Sequence, residues 1–165
     1  MTTFERIETP PDPRDLPGLF RHRVDIDVRF ADTDAMGHVN NAVYLTYCEA
    51  ARIGYWQVVT GKPLAGRHHD AESLILAEAR ITYRAQVFAT DRIVVETRAG
   101  RIGTSSFTLE HRITAHDAEG VARLVAVSDS ILVRYDYDAG RAIPLDDAFV
   151  GAVEAFEGRT LRDAR

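Results

Sequence analysis

The chain has 165 residues, of which 45% are hydrophobic and 27% charged, a composition typical of a globular protein with one folded domain. Its net charge of -5 argues against a nucleic-acid partner, because binding to phosphates needs a basic face. The single cysteine, Cys48, excludes an internal disulfide, and no signal peptide or long apolar run is visible, so we expect a cytoplasmic protein.

The amino-terminal part of the chain divides into an arm and a strand. Residues 1–20 contain four of the six prolines and show no hydrophobic periodicity, which predicts an extended arm before a single domain over residues 21–160. Over residues 21–30, the apolar side chains from Val24 to Phe30 alternate with charged ones. An alternation of period two with one polar face predicts a half-buried strand.

Functional side chains are densest between Asp32 and Asn41, where two carboxylates, one glycine, one imidazole and two carboxamides fall within ten residues. The next residues have apolar positions at spacings of three and four, which predicts a helix over residues 41–60. Asn40 or Asn41 is suited to cap this helix, and Gly61 to end it. The predicted apolar stripe consists of Tyr44, Tyr47, Cys48, Ala51, Tyr55, Val58 and Val59. Because few other positions are hydrophilic, we expect protein to cover most of the helix circumference.

The rest of the chain is predicted to be mainly strands. Segments rich in Val, Ile, Thr and aromatic residues cover 74–88, 91–102, 105–116 and 121–135. The connections between them are short enough to join only antiparallel neighbours. A short helix is predicted over residues 146–156. This order of elements predicts an α+β protein, in which an antiparallel five-stranded sheet wraps around one long helix.

The order Asp-Thr-Asp-Ala-Met-Gly-His-Val-Asn-Asn, followed by Tyr-Leu and Glu-Ala-Ala-Arg, resembles the opening of hot-dog-fold acyl-CoA thioesterases, the group that includes 4-hydroxybenzoyl-CoA thioesterase. The resemblance implies the hot-dog fold, an acyl-CoA substrate, no metal or redox cofactor, and a homodimer or dimer of dimers. It also implies that Asp34 is the catalytic carboxylate and that the turn around Gly37 and His38 supplies the oxyanion hole. Met36 stands where some related thioesterases use an asparagine.

The chemistry of these residue types agrees with that assignment. A carboxylate beside a helix amino terminus can attack a thioester carbonyl or deprotonate a water, and both routes form an oxyanion that nearby amides stabilise. His38 is expected to bind or orient the substrate. Glu49 is a second candidate base, because some hot-dog thioesterases use a helix glutamate; its alternative role is an ion pair with Arg52.

Substrate-binding residues are expected on both sides of this motif. Asn40, Asn41 and Tyr44 lie at the start of the helix and so beside the reacting groups. Arg84 and Arg92 fall near predicted strand ends, and arginine is suited to the phosphates of coenzyme A. The sequence leaves the acyl group open, since the aromatic residues suit an aromatic or a long aliphatic pocket.

A calcium loop is an alternative for the motif. Asp32, Asp34 and Gly37 fall at the first, third and sixth positions of the EF-hand pattern. Met36 and Val43 occupy its fifth and twelfth positions and cannot coordinate a hard cation. We therefore expect Asp32 to hydrogen-bond the turn instead of binding a metal.

Two other functions remain open on the same fold. A hot-dog hydratase or dehydratase uses a histidine and an acid, but its signature places them five apart with Asn-Pro between, whereas Asp34 and His38 are four apart without a proline. A non-catalytic acyl-CoA-binding module is the second alternative, since a fold does not fix a function.

His68 and His69 suggest a metal, but they lie in a charged loop that is more typical of solvated side chains.

Overall fold

The structure is a computed structural model, and it describes residues 19–62 and 74–162. Most of the predicted arm, and the loop with His68 and His69, lie outside the described residues. The strands are β1 (His22–Asp27), β2 (Leu74–Tyr83), β3 (Arg92–Ile102), β4 (Ser106–His116), β5 (Ala122–Asp136) and β6 (Arg141–Ala142); the helices are α1 (Val43–Thr60) and α2 (Asp147–Glu157), and a 3-10 turn covers Phe30–Asp32.

The strands form one antiparallel sheet in the order β1-β3-β4-β5-β2, with β6 paired to the end of β5. The predicted five-stranded antiparallel sheet is therefore confirmed, and β6 is an addition to it. The predicted strand 74–88 is too long. It ends at Tyr83 because the next two N–H groups, of Arg84 and Ala85, both donate to Val125 O, at 2.8 and 3.2 Å, and turn the chain into a loop.

Helix α1 packs mainly against β1 and β3. It begins two residues later than predicted, at Val43, whose N–H donates to Asn40 O, while the Asn40 carboxamide oxygen accepts the N–H of Ala42 at 2.9 Å. Gly61 ends the helix as predicted, with a left-handed φ of 68° that favours glycine. The buried residues are Tyr44, Tyr47, Cys48, Ala51, Tyr55 and Trp56, whereas Val58, predicted on the stripe, is exposed.

One face of α1 and the strand at the sheet edge remain uncovered. Leu45 and Ile53 are 40% and 37% exposed, and Glu49 lies between them at a spacing of four. Most residues of α1 are buried or half-buried, as expected, but this face of the helix is exposed. Within residues 19–62 and 74–162, β2 has one neighbouring strand, β5, and its residues 76–80 are all exposed.

Polar side chains divide the core into two apolar clusters. The first surrounds the amino-terminal half of α1, and the second lies between its carboxyl-terminal half and α2. Between them, Thr97, His111 and Ser128 pair across β3, β4 and β5 and are all fully buried. Consequently, the end of the molecule with the Asp32 to Asn41 motif has a separate core of its own.

Candidate active site

The motif forms a tight loop over residues 32–40, here called the motif loop. The N–H of Asp34 donates to His38 O at 2.8 Å, and the N–H of Gly37 donates to Asp34 O at 3.0 Å. Gly37 adopts a φ of 79°, which L side chains rarely adopt. The Asp34 carboxylate turns back on the loop, because its Oδ1 accepts the N–H of Met36 at 2.8 Å. The loop thus fixes one oxygen of the candidate catalytic carboxylate.

The two ends of the motif loop are joined to each other, and its last part is joined to the loop after β2. Asn40 N–H donates to Asp32 O, and Val39 N–H donates to Val87 O, both at 2.8 Å. The Asp32 side chain is 2% exposed, and hydrogen bonds from the Arg29 guanidinium hold the pKa of its carboxyl below the usual range. Asp32 therefore hydrogen-bonds the turn, as predicted.

A cleft of about 290 Å³ opens beside this loop. Its lining residues are Asp34, His38, Val39, Asn41, Tyr44, Tyr83, Arg84, Ala85, Gln86 and Val87. Asp34 is exposed, whereas Tyr44 is buried, and burial raises the pKa of Tyr44 to about 12. The His38 ring contacts Phe88 edge-on, with 5.3 Å between the ring centroids. The structure thus brings five predicted site residues together: Asp34, His38, Asn41, Tyr44 and Arg84.

Three predicted residues lie elsewhere. Glu49 is exposed on the uncovered face of α1 and lines a different cavity, together with Arg52. The alternative role of Glu49, an ion pair with Arg52, is not formed among the described residues, and Arg52 instead directs Nη1 at Ser130 Oγ, 3.5 Å away. Arg92 pairs with Asp25 at 3.2 Å, at the start of β3 and outside the cleft. Asn40 also lies outside the cleft lining and, as described above, braces the start of the helix.

The opposite wall of the cleft belongs to the loop after β2, which sequence reasoning assigned to a strand. Asp91 holds this wall: its Oδ2 accepts the N–H of Phe88 at 2.7 Å and pairs with Arg123. Arg123 also donates to Gln86 O at 3.2 Å. Tyr83 closes one end, since its hydroxyl donates to Asn41 O at 2.8 Å. No spacing along the chain signals these residues, because they reach the site only through the sheet register.

The backbone N–H groups of the motif loop differ in whether they already donate to an acceptor. Gly37 N–H and Met36 N–H are taken up by Asp34, as described above. By contrast, the N–H of His38 donates to no acceptor within residues 19–62 and 74–162. The N–H of Ala35 likewise has no acceptor in this part of the chain. Gly37 therefore shapes the turn, and the amides of Ala35 and His38 remain, of which only His38 lines the cleft.

Comparison with known proteins assigns the family. Residues 28–153 match the model of the thioesterase-like superfamily. The chain belongs to this superfamily. A thioesterase from Thermus thermophilus, solved with coenzyme A and zinc, is 36% identical, with a TM-score of 0.74 over 87% of this chain and 99% of that one. The 1,4-dihydroxy-2-naphthoyl-CoA hydrolase of Synechococcus elongatus is 32% identical over 99 residues, which cover 58% of this chain and 70% of that protein.

The hot-dog fold is confirmed by a further comparison. The 4-hydroxybenzoyl-CoA thioesterase of Pseudomonas sp. strain CBS-3 has the same fold, with a TM-score of 0.65 and 20% identity over 79% of this chain and 96% of that one. This superfamily member is a thioester hydrolase, as predicted. In the described part of the chain, no group of three or more His, Cys, Asp or Glu side chains is arranged to hold a metal, and neither helix is long and apolar enough to cross a membrane.

Proposed function

We propose that this thioesterase hydrolyses acyl-CoA, releasing a free acid and coenzyme A, with Asp34 as the reacting carboxylate. The observation that carries the proposal is the position of Asp34, an exposed carboxylate in a cleft beside the start of the long helix α1. The relatives named for a coenzyme A complex and for a naphthoyl-CoA substrate support a coenzyme A thioester. The proposed chemistry uses groups of the chain itself and needs no metal or redox cofactor.

The carboxylate geometry suits two routes. Asp34 Oδ1 accepts the Met36 N–H, and no hydrogen bond to Oδ2 occurs among the described residues. Oδ2 either attacks the thioester carbon, forming an acyl anhydride that water then hydrolyses, or takes a proton from the attacking water. In both routes the carbon–sulfur bond breaks, and the thiolate of coenzyme A leaves and takes up a proton.

The oxyanion formed on either route needs donors close to the reacting carbonyl. The N–H groups of Ala35 and His38 are the two motif-loop amides without an acceptor among the described residues. We assign the role to His38, because it lines the cleft and Ala35 does not, and the positive end of the α1 dipole lies beside it. Removal of one such donor typically costs about 3 kcal/mol of transition-state stabilisation. Gly37 contributes by holding the turn that presents this amide.

The remaining cleft residues are assigned to binding. Tyr44, Tyr83 and Val87 provide an apolar surface for the acyl or pantetheine part of the substrate. Arg84 places a guanidinium at the same cleft, where it suits an anionic coenzyme A group. Asn41 lies at the exposed mouth and offers a carboxamide for hydrogen bonds to the amides of the pantetheine arm.

We also propose that the protein forms a homodimer, either alone or as half of a dimer of dimers. The exposed edge of β2 and the exposed Leu45 to Ile53 face of α1 form a surface that no other described element covers. A second copy suits this surface, because pairing two β2 edges satisfies backbone groups that have no partner among the described strands. Pairing would place groups of one subunit beside the open cleft of the other. Arg92, which lies outside the cleft of its own chain, is a candidate for that role.

Thiol release from a panel of aromatic and aliphatic acyl-CoA thioesters tests the proposed activity. The protein's only cysteine will not disturb the assay, because Cys48 is fully buried and burial raises its pKa to about 11. We expect the Asp34→Asn variant to lose at least about a hundredfold in kcat while it stays folded. Retention of more than about a tenth of wild-type kcat, which is under ~1.4 kcal/mol of barrier, would exclude Asp34.

The same panel separates the two alternatives. A hydratase or dehydratase would change the absorbance of an enoyl-CoA without releasing a thiol. A binding module would retain acyl-CoA at equilibrium, and its bound thioester would stay intact. Hydrolysis of no member of the panel by the wild-type protein would contradict the proposed function.

A further inference from the structure

We infer that Asp32 and Tyr47 form a tether between the motif loop and helix α1 that positions Asp34 for catalysis. The inference rests on the proposed role of Asp34. It makes Asp32 and Tyr47 positioning residues, since neither lines the cleft. Its basis is a set of buried hydrogen bonds at the point where the motif loop, the 3-10 turn and α1 meet.

The Asp32 carboxylate is saturated with donors. Oδ1 accepts Arg29 Nη2 at 2.7 Å and Nε at 3.1 Å, and Oδ2 accepts the Arg29 backbone N–H and the Tyr47 hydroxyl, each at 3.0 Å. The backbone carbonyl of Asp32 accepts the N–H of Asn40 at 2.8 Å. A single residue therefore binds the first and last positions of the motif loop to each other and joins both to α1.

The Tyr47 hydroxyl is the only one of these donors that comes from the long helix. Tyr47 is 3% exposed, and it lies one helical turn after Tyr44, whose ring lines the cleft. Its hydrogen bond thus fixes the motif loop relative to the wall that receives the substrate. Asp34 itself has no such anchor, because its side chain is exposed and, among the described residues, is bonded only to its own loop.

Errors in position are costly for a reacting carboxylate. A displacement of about 1 Å at the reacting atoms can lower the rate by about a hundredfold, even when it arises away from the chemistry. Asp34 is two residues from Asp32, so a change in the Asp32 anchor moves the reacting carboxylate directly. Loss of the tether should therefore lower kcat much more than it weakens substrate binding.

The chain supplies a matched control on the same helix. Tyr55 is also buried in α1, and its hydroxyl donates to the buried carboxylate of Glu157 at 2.6 Å. It lies eight residues after Tyr47, about 12 Å along the helix, in the second apolar cluster. Tyr47→Phe and Tyr55→Phe each remove one hydroxyl that is bonded to a buried carboxylate, but only the first removes a contact to the motif loop.

The test compares wild type, Tyr47→Phe, Tyr55→Phe and Asp34→Asn by steady-state kinetics, thermal unfolding and amide hydrogen exchange. We expect similar losses of Tm in the two phenylalanine variants, but a fall in kcat of about tenfold or more, with KM nearly unchanged, only in Tyr47→Phe. Exchange of the Gly37, Val39 and Asn40 amides should accelerate in Tyr47→Phe and stay at the wild-type rate in Tyr55→Phe.

Two results would overturn the tether. One is an equal kcat in the two phenylalanine variants, and the other is wild-type exchange of the motif-loop amides in Tyr47→Phe. Activity retained in Asp34→Asn would instead overturn the proposed function, and the exchange rates would still decide whether Tyr47 restrains the loop. The two failures are therefore distinguishable.

Discussion

At the scale of single residues, His38 and Asp34 line the same cleft, but their side chains do not act as a pair. Its ring packs against Phe88, and no hydrogen bond joins the imidazole to the Asp34 carboxylate. Met36, which occupies the position between them, is 77% exposed and has no side-chain group that relays a proton. We therefore assign a role in the proposed chemistry to the backbone N–H of His38 and not to its side chain.

We therefore expect His38→Ala to be milder than Asp34→Asn. Alanine keeps the backbone N–H assigned to the oxyanion and removes only the ring that packs on Phe88, so kcat should fall by about tenfold or less, against about a hundredfold or more for the loss of the carboxylate. Steady-state kinetics of both variants on one acyl-CoA substrate check this. Equal losses in the two variants would show that the imidazole takes part in the proton transfer.

Apart from Arg84, which is predicted from its position near a strand end, the residues that sequence could place at the site are those close together in the chain. Asp34, His38, Asn41 and Tyr44 meet because one turn and the start of one helix hold them, and their spacing reveals both. Tyr83 and Gln86 come from about 40 residues further on, as does Phe88, which contacts the His38 ring, and only strand pairing brings them to the site. Glu49 shows a second limit of prediction from sequence. Helical periodicity predicts that Glu49 lies on the exposed face of the helix, but not which cavity it lines.

At the scale of elements, alternation along the chain predicts strands, but it does not reveal the polar row inside the sheet. His111 lies at the centre of β4 and is fully buried. Its Nδ1 is 3.0 Å from Thr97 Oγ1, and its Nε2 is 3.4 Å from Ser130 Oγ. Burial lowers the pKa of His111 to about 3, and the nearby Arg52 guanidinium acts in the same direction. The row is thus built around a neutral imidazole.

The neutral imidazole in this row predicts that the free energy of unfolding falls as the pH is lowered. An unfolded histidine takes up a proton near pH 6.5, whereas folded His111 stays neutral down to about pH 3. The contribution of His111 to the free energy of unfolding is therefore fully present above pH 6.5. It decreases as the pH falls from there toward 3, by at most about 1.4 kcal/mol per pH unit. Buried His22, whose pKa is also lowered by burial, adds a loss of the same sign.

Urea unfolding at pH 7 and pH 5 measures this effect. In His111→Gln, whose amide can still hydrogen-bond Thr97 and Ser130, the free energy of unfolding should fall less between the two pH values than in wild type. His22→Gln is the control for the second histidine and should remove only its own share of the loss. An unchanged pH dependence in His111→Gln would contradict a neutral buried imidazole.

At the scale of the whole molecule, the single chain leaves a surface that its own described elements do not cover. Leu45, Glu49 and Ile53 lie on one face of α1, and the β2 edge presents unpaired backbone groups. The sequence predicts the buried apolar residues of α1 except for Val58 and Trp56, but it does not show that α1 packs mainly against β1 and β3 and reaches β2 through Tyr44, whose ring contacts Tyr83. That asymmetry arises from the strand order β1-β3-β4-β5-β2, which places the strand after the helix at the far edge of the sheet.

The uncovered surface leads to the prediction that activity depends on a dimer. The cleft of one chain is open to solvent, and a second copy paired along β2 would close it and bring its own cations near, with Arg84 and Arg92 as candidates. A dilution series should therefore show activity falling as the dimer dissociates. Ile53→Arg, which puts a charge in the proposed interface, should lower both the dimer fraction by light scattering and the activity.

Val58→Arg is the matched control for this prediction. Val58 is 57% exposed, more than Ile53, and helical geometry places it on the opposite side of α1 from Glu49. The variant introduces the same charge into the same helix but should leave dimer and activity as in wild type. If the protein were a fully active monomer at micromolar concentration, the shared site would be refuted, while the chemistry assigned to Asp34 would stand, because its contacts lie within one chain.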